Sequence, residues 1–415
     1  MGPQRTPFGG ATGSGTAPRS STSSGRTLLD AVLVAGGGSR VGEGAAGFGQ
    51  EVPAVVARPQ PQLQDAEDRG MGLARRLDGG EAVQTPAAGT DHELPDPVTR
   101  GRSVGGHLGE PLELMGARVQ ATGGKAPLKI RGSGKLVPIT YKLPVASAQV
   151  KSAILFAGLN AAGRTTVIEP SPSRDHTERL FNGFGVPVTT TADLSVALDG
   201  PARFTGGAIT IPGDISSAAY FIAAAMLLPQ SELTIEAVGL NPTRATFLSV
   251  LTSWGAGIST SDIQTERNEP YGTINVRGGI TGVAGANERT LSKSMIPSLI
   301  DELPLLAVIG SQIEGGIRIR DAGELRLKES DRLAATAVNL RAMGAEVEEF
   351  DDGLSVLGPT QLRGALIDSH GDHRIAMAFA VAALIADGET EIGGAECVAI
   401  SFPEFFGLLE SVVVR

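Results

Sequence analysis

The chain has 415 residues, 19% of them charged, with a formal net charge of −10 and a pI near 5.2. That length allows two or three domains, and that acidity excludes a general nucleic-acid binder while leaving room for a local cationic pocket. A single cysteine, Cys397, excludes an internal disulfide framework; no apolar run spans a membrane and the N-terminus lacks a signal-peptide core, so a cytoplasmic protein without membrane contact is expected.

Residues 1–110 stand apart. They contain no Lys, Ile, Asn, Tyr, Trp or Cys, and residues 11–25 are low-complexity Gly, Ser and Thr text that reads as disordered. Only residues 28–35 and 52–57 are apolar enough for short buried pieces. Most of the missing residue types belong to AT-rich codons. The segment therefore reads either as a GC-rich gene in a shifted frame or as a natural disordered extension.

From Pro111 onward a repeat emerges. The stretch Glu110-Pro-Leu-Glu-Leu-Met-Gly-Ala-Arg-Val119 matches the end of a second helix, and Leu128-Lys-Ile and Val137-Pro-Ile-Thr-Tyr141 supply strands. One copy opens at Pro144-Val-Ala-Ser, passes Gly163-Arg-Thr-Thr-Val-Ile168 and ends at Phe184-Gly-Val. A second opens at Pro212-Gly-Asp-Ile, passes Leu233-Thr-Ile-Glu236 and ends at Trp254-Gly-Ala-Gly. The third opens at Pro297-Ser-Leu-Ile-Asp-Glu, passes Ile317-Arg-Ile and ends at Met343-Gly-Ala; the fourth opens at Ser369-His-Gly-Asp-His-Arg and ends over residues 405–413. Each copy runs loop, Ala-rich helix, strand, loop, second helix, further strands. The first helices are apolar on most faces, at 223–228 and 376–385 for example, and should be buried.

Within the third copy, Leu327-Lys-Glu-Ser-Asp-Arg-Leu333 sets four charges between apolar flanks, where a connection enters an Ala/Leu-rich helix that stops at Gly344. Ser330 or Asp331 suits an N-cap. Capping leaves Lys328 and Arg332 unexplained, because cations oppose the helix dipole at that end. Two cations beside a carboxylate suit an anionic ligand. Other polar residues fall at equivalent loop-to-helix junctions: Ser147 and Gln149, then Ser173, Arg174 and His176, then Asp301 and Glu302, then Asp372, His373 and Arg374. Free amides at helix N-termini favour anions, so the repetition points to one shared site.

Six motifs in order carry a family resemblance: Leu143-Pro-Val-Ala-Ser-Ala-Gln-Val-Lys-Ser-Ala153, Glu169-Pro-Ser-Pro-Ser-Arg-Asp-His-Thr-Glu178, Pro212-Gly-Asp-Ile-Ser-Ser217, Asp301-Glu-Leu-Pro304, Leu327-Lys-Glu-Ser-Asp-Arg332 and Gly371-Asp-His-Arg374. With them, residues 111–415 resemble the 5-enolpyruvylshikimate-3-phosphate synthase family of enolpyruvyl transferases. The resemblance implies an α/β protein, a two-domain fold of repeated βαβαββ units (an inside-out α/β barrel) with its N-terminal units disrupted here. Residues 1–110 form the anomalous segment, 111–210 the remainder of the first, shikimate-phosphate domain, and 211–415 the second, catalytic domain. The implied reaction moves the enolpyruvyl group of phosphoenolpyruvate to the 5-hydroxyl of shikimate 3-phosphate and releases phosphate, on the route to chorismate and aromatic amino acids. A glyphosate-binding monomer needing neither metal nor organic cofactor is implied as well.

By motif matching, Asp301 faces the shikimate hydroxyl and Glu329 the methylene carbon, as paired acid and base. The resemblance gives Gln149, Lys328, Arg332, His373 and Arg374 to phosphoenolpyruvate. It gives Ser147, Ala148 (through its backbone), Gln149, Ser173 and Arg174, with Asp301 and Lys328, to shikimate 3-phosphate. The departures lie early in the chain. The family's first copy carries a Gly-Asp-Lys-Ser…Arg loop and its second an Asn-Ser-Gly-Thr loop followed by an Arg-Pro segment, and neither is present. Ile400 stands where some members carry lysine. Two lost cations per site cost about 3–6 kcal/mol, on the order of 10²–10⁴ in affinity. Weak binding and little synthase activity are expected of the chain as written. Two other readings stay open: the sister transferase acting on UDP-N-acetylglucosamine, whose loop cysteine lies in the first domain, and an inactive remnant that keeps the second domain as a binding module.

Overall fold

The computed structural model describes residues 104–122, 125–280 and 289–414, together with the backbone of β1 (Thr27–Leu28), β2 (Ala31–Ala35), β3 (Ala54–Ala57) and β4 (Asp91–Leu94). The low-complexity run at 11–25, for which disorder was expected, lies outside the described residues. β2 and β3 fall on the two apolar stretches, and β2 pairs in parallel with a strand of the second repeat.

A partial unit and four repeats follow one another in the expected order. A partial unit supplies α1 (Val104–Leu114), β5 (Arg118–Thr122) and β6 (Lys125–Arg131). The next is whole: β7 (Thr140–Lys142), α2 (Ala148–Gly158), β8 (Gly163–Ile168), α3 (His176–Gly183), β9 (Val188–Thr190) and β10 (Ser195–Gly200). Then come α4 (Ile215–Leu227), β11 (Glu232–Gly239), α5 (Thr246–Ser253), β12 (Gly257–Glu266) and β13 (Glu269–Arg277). The third repeat has β14 (Arg289–Leu291), a one-turn α6 (Ile296–Leu299), α7 (Leu303–Gly310), β15 (Ile317–Ile319), α8 (Arg332–Ala342), β16 (Val347–Phe350) and β17 (Gly353–Val356). The last has β18 (Leu366–Asp368), α9 (His373–Ile385), β19 (Glu391–Gly393), α10 (Phe405–Val412) and β20 (Val413–Val414), which pairs with β1.

The sheets repeat with the units. Orders β7-β8-β10-β9 and β14-β15-β17-β16 are the same, with the first pair parallel and the others antiparallel. In the second repeat β11-β13-β12 keeps that order and β2 takes the parallel place. The strand expected at 137–141 starts only at Thr140, because Pro138 has no N–H to give a ladder; Leu136 makes an isolated bridge to Ala161.

One glycine position shows why the units close as they do. Leu198-Asp-Gly200, Val276-Arg-Gly278 and Val356-Leu-Gly358 each stand at the end of the last strand of a unit, and their glycines press on the C-terminal turn of α2, α4 and α7. A Cβ there would lie 2.3 Å from the Gly158 carbonyl oxygen, 2.1 Å from that of Leu228 and 2.5 Å from that of Gly310. Only glycine fits such an approach. Ile130-Arg-Gly132 holds the same place in the partial unit, and there nothing among the described residues lies within 4 Å.

Two hydrophobic cores result among the described residues. The larger is built on α4, α7 and α9, buried along nearly their whole length and packed on one another, with Phe221, Phe402 and Phe405 sealing one side. The smaller gathers Met115, Tyr141, Ile154, Leu155 and Phe181 around α2. The cores meet along α3, where Asn241 donates to Asp175 at 2.8 Å and His176 bonds Glu269 at 2.7 Å. No helix among the described residues is long and apolar enough to cross a membrane.

Candidate active site

The N-termini of α7, α8 and α9 bring the charged motifs together. Asp331 is the N-cap of α8, accepting from the Ala334 amide at 3.0 Å, while Ser330 donates instead to Asp372 at 3.1 Å. Arg332, in the first turn, is 1% exposed. Its Nε and Nη2 grip Asp372 at 2.7 and 3.2 Å, and Nη2 also reaches Glu329 at 2.5 Å. Asp372 caps α9 through the Arg374 amide at 2.9 Å. Burial works to raise its pKa, but the bonded guanidinium of Arg332 outweighs it and the carboxyl is held below its ordinary value.

Asp301 is the junction of both cores. Arg174, from the loop before α3, reaches its Oδ2 at 2.5 Å; Arg374 approaches the same oxygen at 3.4 Å and Arg332 the other at 3.6 Å. Burial opposes ionisation, yet Arg374 and Arg174 together hold this carboxyl well below the usual carboxylate range. Arg332 Nη1 has no hydrogen-bond partner among the described residues, and neither has the buried Nδ1 of His373. Burial, and then the charge of Arg374, push His373 down, so the ring stays neutral at neutral pH.

Other expected residues are placed differently. Lys328 turns to Glu324, one turn back, so the flanking cation lies in an ion pair. Ser147 caps α2, accepting from Val150 at 3.3 Å, and donates to Gln149 at 3.4 Å; Ala148 is the first residue of that helix. Ser173 donates to Glu169. In place of bare cations, the structure shows cations matched by acids, because a buried charge without a ligand demands a partner.

For two residues that the sequence placed at helix entries, Asp372 and Glu302, the partners and roles went unread. Asp372 is the anchor of Arg332, a role its place beside His373 and Arg374 hinted at. Glu302, at the N-cap of α7, is fully enclosed: it accepts from Ser216, whose oxygen accepts from Arg244 at 2.6 Å. Burial pushes its pKa up to about 7 against the pull of Arg374. The signal was an acid directly followed by an unbroken apolar helix. A cavity of about 530 Å3 lined by Glu232, Thr234, Ser259 and Arg277 shares none of these residues.

The EPSP synthase (3-phosphoshikimate 1-carboxyvinyltransferase) family model matches residues 96–409. The chain is 47% identical over 365 residues to the 3-phosphoshikimate 1-carboxyvinyltransferase of Koribacter versatilis, covering 88% of this chain and 83% of that one. Against the enzyme of the same name from Synechocystis it is 51% identical over 306 residues, covering 73% and 67%. The solved EPSP synthase of Acinetobacter baumannii superposes with a TM-score of 0.66 at 38% identity, over 74% of this chain and 72% of that one. The enolpyruvyl transferase NikO of Streptomyces tendae shares the fold, with a TM-score of 0.62 at 18% identity over 78% and 72%. Repeated βαβαββ units, two cores bridged at Asp301 and matches of this extent lead to one conclusion: the chain belongs to the EPSP synthase family of enzymes.

Proposed function

We propose that this chain transfers the enolpyruvyl group of phosphoenolpyruvate to the 5-hydroxyl of shikimate 3-phosphate, with release of phosphate. The observation that carries the reading is Asp301 held between Arg174 of the smaller core and Arg332 and Arg374 of the larger one. Residues 111–210 contribute the shikimate-phosphate side and 211–415 the phosphoenolpyruvate side, in a monomer whose partners are small anions.

Addition needs a proton taken from the attacking hydroxyl and one given to the methylene carbon; elimination of phosphate reverses both demands. Asp301 takes the hydroxyl proton and Glu329 serves the methylene carbon. With Arg174 and Arg374 beside it, Asp301 is ionised but weakly basic. A substrate phosphate or carboxylate that draws these guanidiniums away raises its basicity as the substrate arrives. Arg332 and Arg374 then hold the anionic groups of phosphoenolpyruvate, joined by Lys328 once it leaves Glu324. His373, neutral, lends a hydrogen bond without adding charge.

Calorimetric titration tests this assignment. Shikimate 3-phosphate heats should vanish in Arg174→Ala, and heats from glyphosate, standing for phosphoenolpyruvate, should vanish in Arg374→Ala. Heats unchanged by either substitution would refute it.

A further inference from the structure

The loop bearing Ser173 and Arg174 rests on a buried charge cluster that the proposed reaction does not use. Lys151, in the first turn of α2, is that helix's lone charged side chain and is 1% exposed. Its Nζ meets Glu169 Oε2 at 2.9 Å and Glu178 Oε1 at 2.6 Å, both carboxylates nearly buried. One cation faces two acids. Burial accordingly raises the Glu178 pKa despite Lys151, and Glu178 Oε2 has no hydrogen-bond partner among the described residues. The free oxygen of Glu169, Oε1, accepts the Ser173 hydroxyl.

A serine has one proton to give. While it goes to Glu169, Ser173 has only lone pairs left for a ligand, and a phosphate dianion needs the proton. We propose that Glu169, held by Lys151, sets the affinity of the shikimate-phosphate site by competing with the ligand phosphate for the Ser173 proton. The inference rests on the assignment of Ser173 to that site. Lys151 occupies Oε2, so Oε1 is the oxygen left to face Ser173. Capture of phosphate requires the O–H to swing from Glu169 to the ligand.

The substitution Glu169→Gln separates this role from scaffolding. Lys151 can only donate, so the amide oxygen turns to Lys151 and the amide nitrogen to Ser173. Ser173 then accepts from the amide and its own proton is released to the ligand. The cluster loses one negative charge but keeps a matched pair, since Lys151 and Glu178 balance one another.

Phosphorus NMR titration of the full chain with shikimate 3-phosphate tests the proposal in four forms: the native sequence, Glu169→Gln, Ser173→Ala and the double variant. Glu169→Gln should tighten binding about fivefold or more, the gain from freeing the Ser173 proton from a charged acceptor. Ser173→Ala should weaken it, and in that background Glu169→Gln should change nothing. Glu169→Asp, which keeps the charge but withdraws it from Ser173, should tighten binding too and serves if the glutamine variant does not fold. Weaker binding in Glu169→Gln, an equal effect with and without Ser173, or no binding in any form overturns the proposal. Ser173→Ala binding like the native chain would remove Ser173 from the site, and the proposal with it.

Discussion

Asp301 has three guanidiniums within 3.6 Å and Arg332 has three carboxylates, so each site residue is defined by the others. Removing one member of such a set leaves its partner buried and unmatched. Asp372→Ala should therefore destabilise the chain by about 3–5 kcal/mol, read from urea midpoints, because Arg332 would lose its bidentate anchor. Glu302 has the opposite pH signature to Asp301 and Asp372. Those two have depressed pKa values, so their stabilisation is present above the ordinary 3.8 and is lost on acidification. Glu302 keeps its proton in the fold while the unfolded chain ionises at 4.5, so stability falls between about 4.5 and about 7. Glu302→Gln should flatten that fall, gaining on the native chain at pH 8 relative to pH 5 in parallel urea titrations. Residue identities at this scale were legible from the motifs. Their partners were not: Lys328 pairing back to Glu324, or Arg332 spanning forty residues to Asp372, depends on which loops the fold brings together.

At the scale of elements, the repeat explains most of the architecture. Apolar runs foretold α4 and α9, helical spacing foretold α8, the order of the repeat placed α7, and Gly344, at φ +92°, stops α8 where expected. Strand pairing was less legible, since three-residue strands such as β14, β15 and β18 hold too little alternation to reveal a register. The unit-closing glycine gives a sharp test of packing. Gly278→Ala would force a methyl group onto the Leu228 carbonyl and should cost at least ~2 kcal/mol in urea unfolding. Gly132→Ala, at the equivalent place with nothing within 4 Å among the described residues, should stay within about 0.5 kcal/mol. Equal costs at the two positions would show that the partial unit is packed like the others.

Across the whole molecule the two cores are unequal. The larger surrounds three long buried helices, whereas the smaller is centred on α2 and leaves Val137, Val145, Phe156 and Phe204 substantially exposed. The Lys, Ser and Arg loops that the family resemblance places in the first two copies have no match in the sequence. Shikimate 3-phosphate should consequently bind about 10²–10⁴-fold more weakly to the chain as written than to a chimera carrying a family-like first segment. Calorimetry on the two proteins gives that ratio, and tight micromolar binding by the chain as written would contradict it.

The enolpyruvyl transfer itself is tested most directly by following phosphoenolpyruvate with phosphorus NMR. The protein would be residues 104–415 of this chain joined behind the first segment of the Synechocystis relative. Phosphate release should require shikimate 3-phosphate, should not occur with UDP-N-acetylglucosamine, and should slow by ~10²-fold or more in Asp301→Asn and in Glu329→Gln. A folded chimera that releases no phosphate, or one whose rate survives both substitutions, would contradict the placement of the chemistry at Asp301 and Glu329.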